Sequence, residues 1–214
     1  MTPGEIVEAA RNRYNAVGDS FWSTQEIYDL IYQAISEVAD EGLVIERAYT
    51  TTTVSDTQEY DFPTAAIAIK RVTWNGTKLT KIDMIEDDVV TGLNQETTAT
   101  GNPEYYWVWQ NTISLRPVPG SAETLKIWAY VYPSEITTAT QVLELPVQFH
   151  HRLINYVLHA MSAKDSNYEA SKFYLALWER DKVFIKQSMR RQKRADKFTT
   201  VKDEQMIVET YLGG

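Results

Sequence analysis

The sequence predicts an α+β fold, a helical bundle built from the N- and C-terminal helices with an inserted antiparallel β module and an extended C-terminal tail. Apolar residues recur at helical spacing at the start of the chain and again after Leu145. The part between them is rich in β-branched residues, aromatic residues and turn signals. We therefore place the bundle in residues 1–42 and 145–197, the β module in 43–144 and the tail in 198–214.

Two helix start signals open the chain. Thr2 and Glu5 form a capping-box pattern with a proline at the first helical position, and Ser23 and Glu26 repeat the pattern. An apolar stripe at helical spacing follows the second signal, and Gly42 fits the C-terminal stop of that helix. The N-terminal part is therefore predicted to form two helices.

The middle of the chain has the signals of strands and tight turns. Asn75-Gly76 is the strongest hairpin signal, because both residues tolerate a positive φ. We expect a sharp turn at Pro117–Gly120 and a short helix over Asp83–Val90. Strands are predicted in three further stretches, Tyr105–Trp109, Thr112–Leu115 and Leu125–Val131.

The last third of the chain is predicted to be helical again. Leu145-Pro146 opens one helix, and Asp165–Asn167 forms the turn to the next. Trp178 lies on the apolar stripe of this second helix, which is expected to end by about Ala195. The tail beyond it has no strong period but carries five apolar or aromatic residues that could bind a partner: Met206, Ile207, Val208, Tyr211 and Leu212.

Charge is distributed unevenly along the chain, whose net charge is -8. Residues 1–150 carry 9 Lys and Arg against 21 Asp and Glu, a net of -12, whereas residues 151–214 carry 12 against 8, a net of +4. This polarity is typical of a subunit with two different neighbours. Cysteine is absent, which excludes disulfides and thiol chemistry. We see no signal peptide and no membrane span, so a soluble protein made in a cytoplasm is expected.

Catalytic and cofactor-binding patterns are missing from the sequence. It has no phosphate-binding glycine loop and no nucleophile elbow, so we expect neither an enzyme nor a cofactor. His150, His151 and His159 lack the spacing of a zinc-binding helix face, and packing or surface positions are favoured for them. Glu86-Asp87-Asp88 is the densest acidic run, and the start of a short helix explains it better than an ion site does.

A basic stretch near the end of the last helix allows two interpretations. It comprises Lys186, Arg190, Arg191, Lys193, Arg194 and Lys197. Positions 190, 193, 194 and 197 share one face of a helix, and such a face can contact DNA phosphates or an acidic protein. The same residues could simply form a solvated helix end whose cations complement the helix dipole.

Several phrases of the chain occur in the order of a known group of proteins. They are Thr57–Pro63, Ile69–Leu79, Gly101–Tyr106, Ile113–Pro119, and Leu145-Pro146 followed by His150–Leu153. With the order of the elements, these phrases resemble the head-to-tail adaptors of tailed bacteriophages, the group that includes the tail tubular protein A of short-tailed phages. The likeness extends from about Ser23 to Lys197.

The resemblance implies a structural protein of the virion, located at the head–tail junction. It implies one subunit of a dodecameric ring below the portal, with the helical bundle against the portal and the C-terminal tail along it. The β module would face the next tail component, such as a tail nozzle, and viral DNA would pass through the lumen without sequence-specific binding. No membrane contact is implied.

Two other classes of protein fit parts of the sequence. One is another phage tail or baseplate protein. The other is a carbohydrate-binding β module that would use Trp107, Trp109 and Trp128 as a stacking platform, since strand alternation places Trp107 and Trp109 on the same face.

Overall fold

The protein is described here by a computed structural model that covers residues 1–19, 21–83 and 100–212, with side chains through residue 192. The chain has a mixed α+β fold, as predicted. It divides into two compact units, a helical unit formed by Met1–Val44 and Pro133–Gly214 and a β unit formed by Ile45–Tyr132. In the helical unit, α1 spans Pro3–Tyr14, α2 Thr24–Gly42, a 3-10 helix Val147–Arg152, α3 Leu153–Lys164 and α4 Tyr168–Leu212.

Both predicted helix starts are confirmed by their hydrogen bonds. The Thr2 side chain accepts from the Glu5 amide, and the Glu5 carboxylate accepts from the Thr2 amide at 2.9 Å. The Ser23 hydroxyl accepts from the Glu26 amide at 3.1 Å, which satisfies one of the free donors at the start of α2.

α2 ends at Gly42, as predicted, but the left-handed conformation that closes the helix falls on the next residue. Leu43, not Gly42, adopts the left-handed conformation, with φ 49° and ψ 51°. Gly42 also relieves crowding, because a Cβ there would lie 3.0 Å from a methyl group of Val44 and 3.2 Å from the side chain of Lys186. The absence of a side chain at Gly42 therefore makes room for α4, whereas Leu43 forms the turn at the end of α2.

The prediction that the last helix ends near Ala195 and gives way to an extended tail is wrong. The backbone of α4 is helical from Tyr168 to Leu212, a length of 45 residues. This stretch contains neither glycine nor proline, and each residue added to an existing helix gains a hydrogen bond without a new nucleation cost. Weak apolar periodicity therefore did not mark the end of the helix.

Trp178 lies at the centre of the core of the helical unit, as its place on the predicted stripe indicates. Its side chain has 0% exposure, and the Tyr156 ring packs against it edge-on with centroids 5.4 Å apart. Other buried residues of α2, α3, α4 and the 3-10 helix complete this core: Ile27, Ile31, Ile35, Phe149, Leu153, Val157 and Ile185.

The β unit contains two four-stranded sheets and a two-stranded ribbon. The strands are β1 Glu46–Thr52, β2 Glu59–Asp61, β3 Ala66–Trp74, β4 Thr77–Lys78, β5 Thr80–Lys81, β6 Thr100–Gly101, β7 Tyr105–Trp109, β8 Thr112–Arg116, β9 Val118–Pro119 and β10 Thr124–Val131. The first sheet has the order β1-β10-β3-β4, the second has the order β2-β8-β7-β5, and β6 pairs with β9. Residues from both sheets share one core: Val72, Trp74, Leu79, Tyr106, Ile113, Leu115, Leu125 and Ile127.

The hairpin at Asn75-Gly76 is confirmed, with φ values of 45° and 79° between β3 and β4. Two other expectations for this unit need correction. Val118–Pro119 within the predicted turn is a strand parallel to β6, and β5 also pairs in parallel with β7, so the module is not wholly antiparallel. The predicted helix over Asp83–Val90 lies, beyond Asp83, outside the described residues.

We expect Trp178→Ala to destabilise the protein by about 3–5 kcal/mol, because it removes a fully buried aromatic side chain. The measurement is the midpoint of thermal or urea unfolding. Trp109→Ala is the matched control, since this indole is 58% exposed and its loss should change stability by roughly 0.5 kcal/mol or less. Equal losses in the two variants would contradict the assignment of Trp178 to the core.

Candidate assembly surfaces

A ladder of polar contacts fastens α4 to α2. Trp178, Lys182 and Lys186 follow one another at four-residue spacing on α4 and face Glu37 and Glu41 of α2. The Trp178 indole donates to Glu37 at 2.9 Å. The Lys182 ammonium lies 3.2 Å from both Glu37 and Glu41, and the Lys186 ammonium donates to Glu41 at 2.5 Å. Three successive turns of α4 are therefore tied to the last two turns of α2.

The electrostatics of this ladder favour its charged form. Burial would lower the pKa of Lys182, but hydrogen bonds to Glu179, Glu41 and Glu37 outweigh burial, and the pKa is raised. The hydrogen bond from Lys186 lowers the pKa of Glu41 below its ordinary value of 4.5, helped by Lys182 against the opposing effect of burial. Both ions therefore remain charged over the neutral pH range.

A second polar cluster holds α4 against the start of α3. The Asp181 side chain is 2% exposed and accepts from the Arg152 guanidinium and, at 2.7 Å, from the Asn155 amide. The Arg152 guanidinium also lies over the Phe184 ring, 4.1 Å from its centroid. The buried carboxylate thus has both a charged and a neutral donor, as burial of a charge requires.

The predicted basic stretch does not form one uniform surface. Lys186 is bound to Glu41, so it is held within the helical unit. Arg190 and Arg191 are exposed and form no ion pair with any residue whose side chain is described. Lys193, Arg194 and Lys197 lie on the helical backbone of α4, at positions that share a face with 186 and 190. Helical spacing therefore still places most of the predicted cations on one side of α4.

The five predicted partner-binding residues of the tail also lie in α4. Positions 206–212 are helical, which places Ile207, Val208, Tyr211 and Leu212 along one face at spacings of three and four residues, with Met206 beside it. The sequence contains a signal for this helix, because residues 207 and 211, and residues 208 and 212, are apolar or aromatic pairs at four-residue spacing. The expectation of an extended tail left this signal unused.

Sequence reasoning missed an exposed apolar surface in the first half of α4. Phe173 is 61% exposed and Phe184 is 46% exposed, although both lie on the same helix as the buried Trp178. Their spacing of eleven residues returns them to nearly the same side of a helix. The exposed apolar surface of α4 comprises Tyr168, Phe173, Leu175, Val183 and Phe184, of which Phe173 and Phe184 lie on one side of the helix and the other three on another. Apolar surfaces of this kind mark contacts with other proteins.

The histidines have structural partners or lie at the surface. The ring of buried His150 contacts the backbone oxygens of Met1 at 2.7 Å and Leu145 at 2.5 Å, and the His159 ring contacts the Ser171 backbone oxygen at 3.0 Å. His151 is exposed. Among the described residues no three His, Asp or Glu side chains converge as a metal site. Glu86-Asp87-Asp88 lies outside that part of the chain.

The three tryptophans of the proposed sugar platform do not lie together. Trp107 and Trp109 are on β7 of the second sheet, whereas Trp128 is on β10 of the first sheet. Trp107 is 8% exposed, and the Arg71 and Lys126 cations lie over the Trp128 ring at 5.2 and 4.9 Å from its centroid. A common platform is therefore excluded, because the two sheets present these rings separately.

Exposed apolar residues on a helix are a feature of proteins that assemble with other proteins. The model of the SU10 adaptor protein family matches residues 1–200, and the chain belongs to this family. It is therefore a bacteriophage structural adaptor protein of the head–tail junction of the virion. No curated protein matches the chain significantly. None of the helices within the described residues is both long and apolar enough to cross a membrane.

We expect Glu41→Gln to lower stability at pH 7 by about 0.5–1 kcal/mol, the usual contribution of a partly exposed ion pair. Because the pKa of Glu41 is lowered in the folded protein, its contribution is complete above the ordinary value of 4.5 and disappears as pH falls through the folded value. The difference in melting temperature between the variant and the wild type should therefore shrink as the pH falls below 4.5 and vanish once Glu41 is protonated in the folded protein.

Glu8→Gln is the control for this pH series, since Glu8 is exposed on α1 and forms no ion pair with a described residue. Its melting curve should follow the wild type at every pH. A Glu41→Gln difference that persists unchanged in acid would show that the ion pairs to Lys182 and Lys186 do not contribute to stability.

Proposed function

We propose that this protein forms a ring, most simply a dodecamer, between the portal of the phage head and the tail. The family match over residues 1–200 is the observation on which the proposal depends. In this role the protein is non-enzymatic, needs no cofactor and is functionally similar to the tail tubular protein A of short-tailed phages. Ring formation, the portal as partner and the passage of DNA through the lumen are parts of this proposal.

The exposed apolar surface of α4 supports contacts between copies of the chain. It places five large apolar side chains at the surface of the helical unit. Burying such a surface against a neighbouring subunit would remove apolar area from water, at about 25 cal/mol for each Å². A ring needs two different contact patches on each subunit, and this surface would be one of them.

The C-terminal end of α4 is the proposed portal-binding segment. An amphipathic helix that offers apolar residues at spacings of three and four residues commonly binds in a groove of its partner. The apolar positions are Met206, Ile207, Val208, Tyr211 and Leu212. The cationic positions from Arg190 to Lys197 precede them and would face DNA or the portal. The β unit would contact the next tail component, such as a nozzle.

Removal of residues 203–214 should abolish attachment to DNA-filled heads and leave the melting temperature nearly unchanged. The described buried core of α4 ends at Ile185, so the removed residues lie eighteen or more positions beyond it. The measurements are thermal unfolding and co-sedimentation with heads, made side by side. Lost stability with retained binding would refute the role of this segment as an anchor.

A matched substitution separates the apolar residues from the length of the helix. Ile207→Gln combined with Leu212→Gln keeps good helix formers and should lose head binding. Asp203→Asn alters the same segment without removing an apolar group and should bind normally. Binding to tails but not to portal-bearing heads would instead favour another tail or baseplate protein.

Phe173→Asp should prevent ring formation without unfolding the chain, because it places a charge in the proposed subunit contact where the side chain is 61% exposed. Chemical cross-linking of intact particles measures adaptor–adaptor products, and thermal unfolding measures the fold. Lys172→Gln, a change at the adjacent exposed position, should cross-link as the wild type does. Wild-type particles that yield no adaptor–adaptor product would refute the ring.

A further inference from the structure

The two sheets of the β unit are joined along one side. β4 is an edge strand of the first sheet, and β5 is an edge strand of the second. The chain passes directly from one to the other, because the Leu79 amide donates to Val72 of β3 at 3.0 Å and the Thr80 amide donates to Glu104, next to β7, at 2.8 Å. Buried Leu79 fills this crossing. This side of the sandwich is therefore closed by the chain itself.

The opposite side of the sandwich has no such crossing strand. There β1 is the edge of the first sheet and β2 is the edge of the second. A groove of about 480 Å³ lies between them, lined by residues that include Tyr49, Thr51, Tyr60 and Phe62. Aromatic residues thus form part of its lining, and Val54 near one end is 59% exposed.

Backbone groups of β1 point away from its sheet toward this open side. The Thr53 amide donates to Glu123 at 2.8 Å, and Val131 donates to Ile45 at 3.0 Å, so the odd-numbered residues of β1 bond β10. In an antiparallel ladder the even-numbered residues then direct their N–H and C=O groups outward. The outward groups of Ala48, Thr50 and Thr52 have no partner within the described parts of the chain.

The edge of β2 is similar. The Phe62 amide donates to Asn111 at 2.7 Å and Leu115 donates to Gln58 at 3.0 Å, which leaves the backbone groups of Glu59 and Asp61 directed outward. Both of these residues are exposed, and neither carboxylate forms an ion pair with a described cation. The open side therefore combines free backbone donors and acceptors, an aromatic lining and two unpaired negative charges.

The part of β1 that follows Glu46 and Arg47 has no feature that protects this edge. Monomeric sheet proteins block free edges with charges, prolines or bulges, since an unprotected edge pairs with other strands. From Ala48 to Thr53 the chain has no charge, no proline and no glycine, and four threonines follow one another. These residues favour strand pairing, so the edge is suited to accept a strand.

We infer that β1 is a docking edge at which an extended segment of a different virion protein adds a strand to the first sheet. Main-chain hydrogen bonds to Ala48, Thr50 and Thr52 would hold that segment. Alternate apolar residues would enter the groove beside Tyr49 and Tyr60, and Lys or Arg would pair with Glu59 and Asp61. The inference rests on the proposed function, which supplies a tail component as the partner of the β unit.

A second copy of this chain is a weaker candidate for the added strand. Pairing of β1 with β1 of another copy would be two-fold and would make a closed dimer, whereas ring contacts must be head-to-tail. The described strands of the β unit are already placed in its own sheets. An extended segment from another protein meets neither difficulty.

Thr50→Pro tests the edge directly, because it removes an outward N–H that β10 does not use. We expect the variant to melt within a few degrees of the wild type and to attach normally to filled heads. Tail addition to those heads, counted by electron microscopy, and infectivity should fall at least tenfold. Thr50→Val keeps the N–H and the β propensity and should behave as the wild type. Normal tail addition by Thr50→Pro would overturn the inference.

Hydrogen exchange of the unmodified protein provides a test that does not depend on folding of the variant. The peptide covering residues 46–53 should exchange at the same rate in the free chain and in the head-bound ring. It should exchange at least tenfold more slowly only after the tail is added. Slowing already in the head-bound ring would assign the edge to a second copy and overturn the inference. No slowing in complete particles would overturn it too. Failure of head attachment would instead count against the proposed function alone.

Discussion

The packing of α4 against α2 and α3 is the constraint on which the helical unit depends. Trp178 is buried there with its indole nitrogen bonded to Glu37, so one side chain contributes both to the core and to the ion-pair ladder. Lys182 and Lys186 extend the ladder along the same face of α4. Residues far apart in sequence are joined in this way, which allows a helical unit to form from both ends of the chain.

The same contact explains why α4 has two different halves. The first half is held by the ladder, by Asp181 with its donors and by buried apolar residues that end, in the described part, with Ile185. The second half has no such residue through position 192 and is helical because its sequence does not interrupt the hydrogen-bond ladder. Packing therefore determines the direction of α4 at its start, and local chain chemistry determines how far it continues.

Local signals predicted the structure well wherever a few residues decide it. The caps at Thr2 and Ser23 and the Asn75-Gly76 hairpin follow from side chains that satisfy nearby backbone groups. Prediction was less successful where long-range contacts decide, as at Leu43, which takes the left-handed conformation while Gly42 makes room for Lys186. The parallel pairing of β9 with β6 also has no local signal, because it joins segments separated by two other strands.

The candidate surfaces also divide into features that local sequence predicts and features that depend on long-range contacts. Helical spacing places most of the cationic positions of α4 on one side of the helix, but it could not reveal that Lys186 is bound to Glu41 or that Phe173 is exposed. A periodic apolar pattern does not say which of two apolar sides faces the core. The free edge of β1 could not be predicted either, since the order of strands in a sheet depends on pairing across the whole β unit.

The length of an uninterrupted helix is proportional to its number of residues, so α4 sets a fixed distance between its two ends. With a rise of about 1.5 Å per residue, the part of α4 after Ile185 is about 40 Å long, and its reach changes with every inserted or deleted residue. Each such change also rotates the end of the helix by about 100°. A change of seven residues alters the reach by about 10 Å but turns the end by only about 20°. Related chains that span a different distance should therefore differ in whole heptads along this segment.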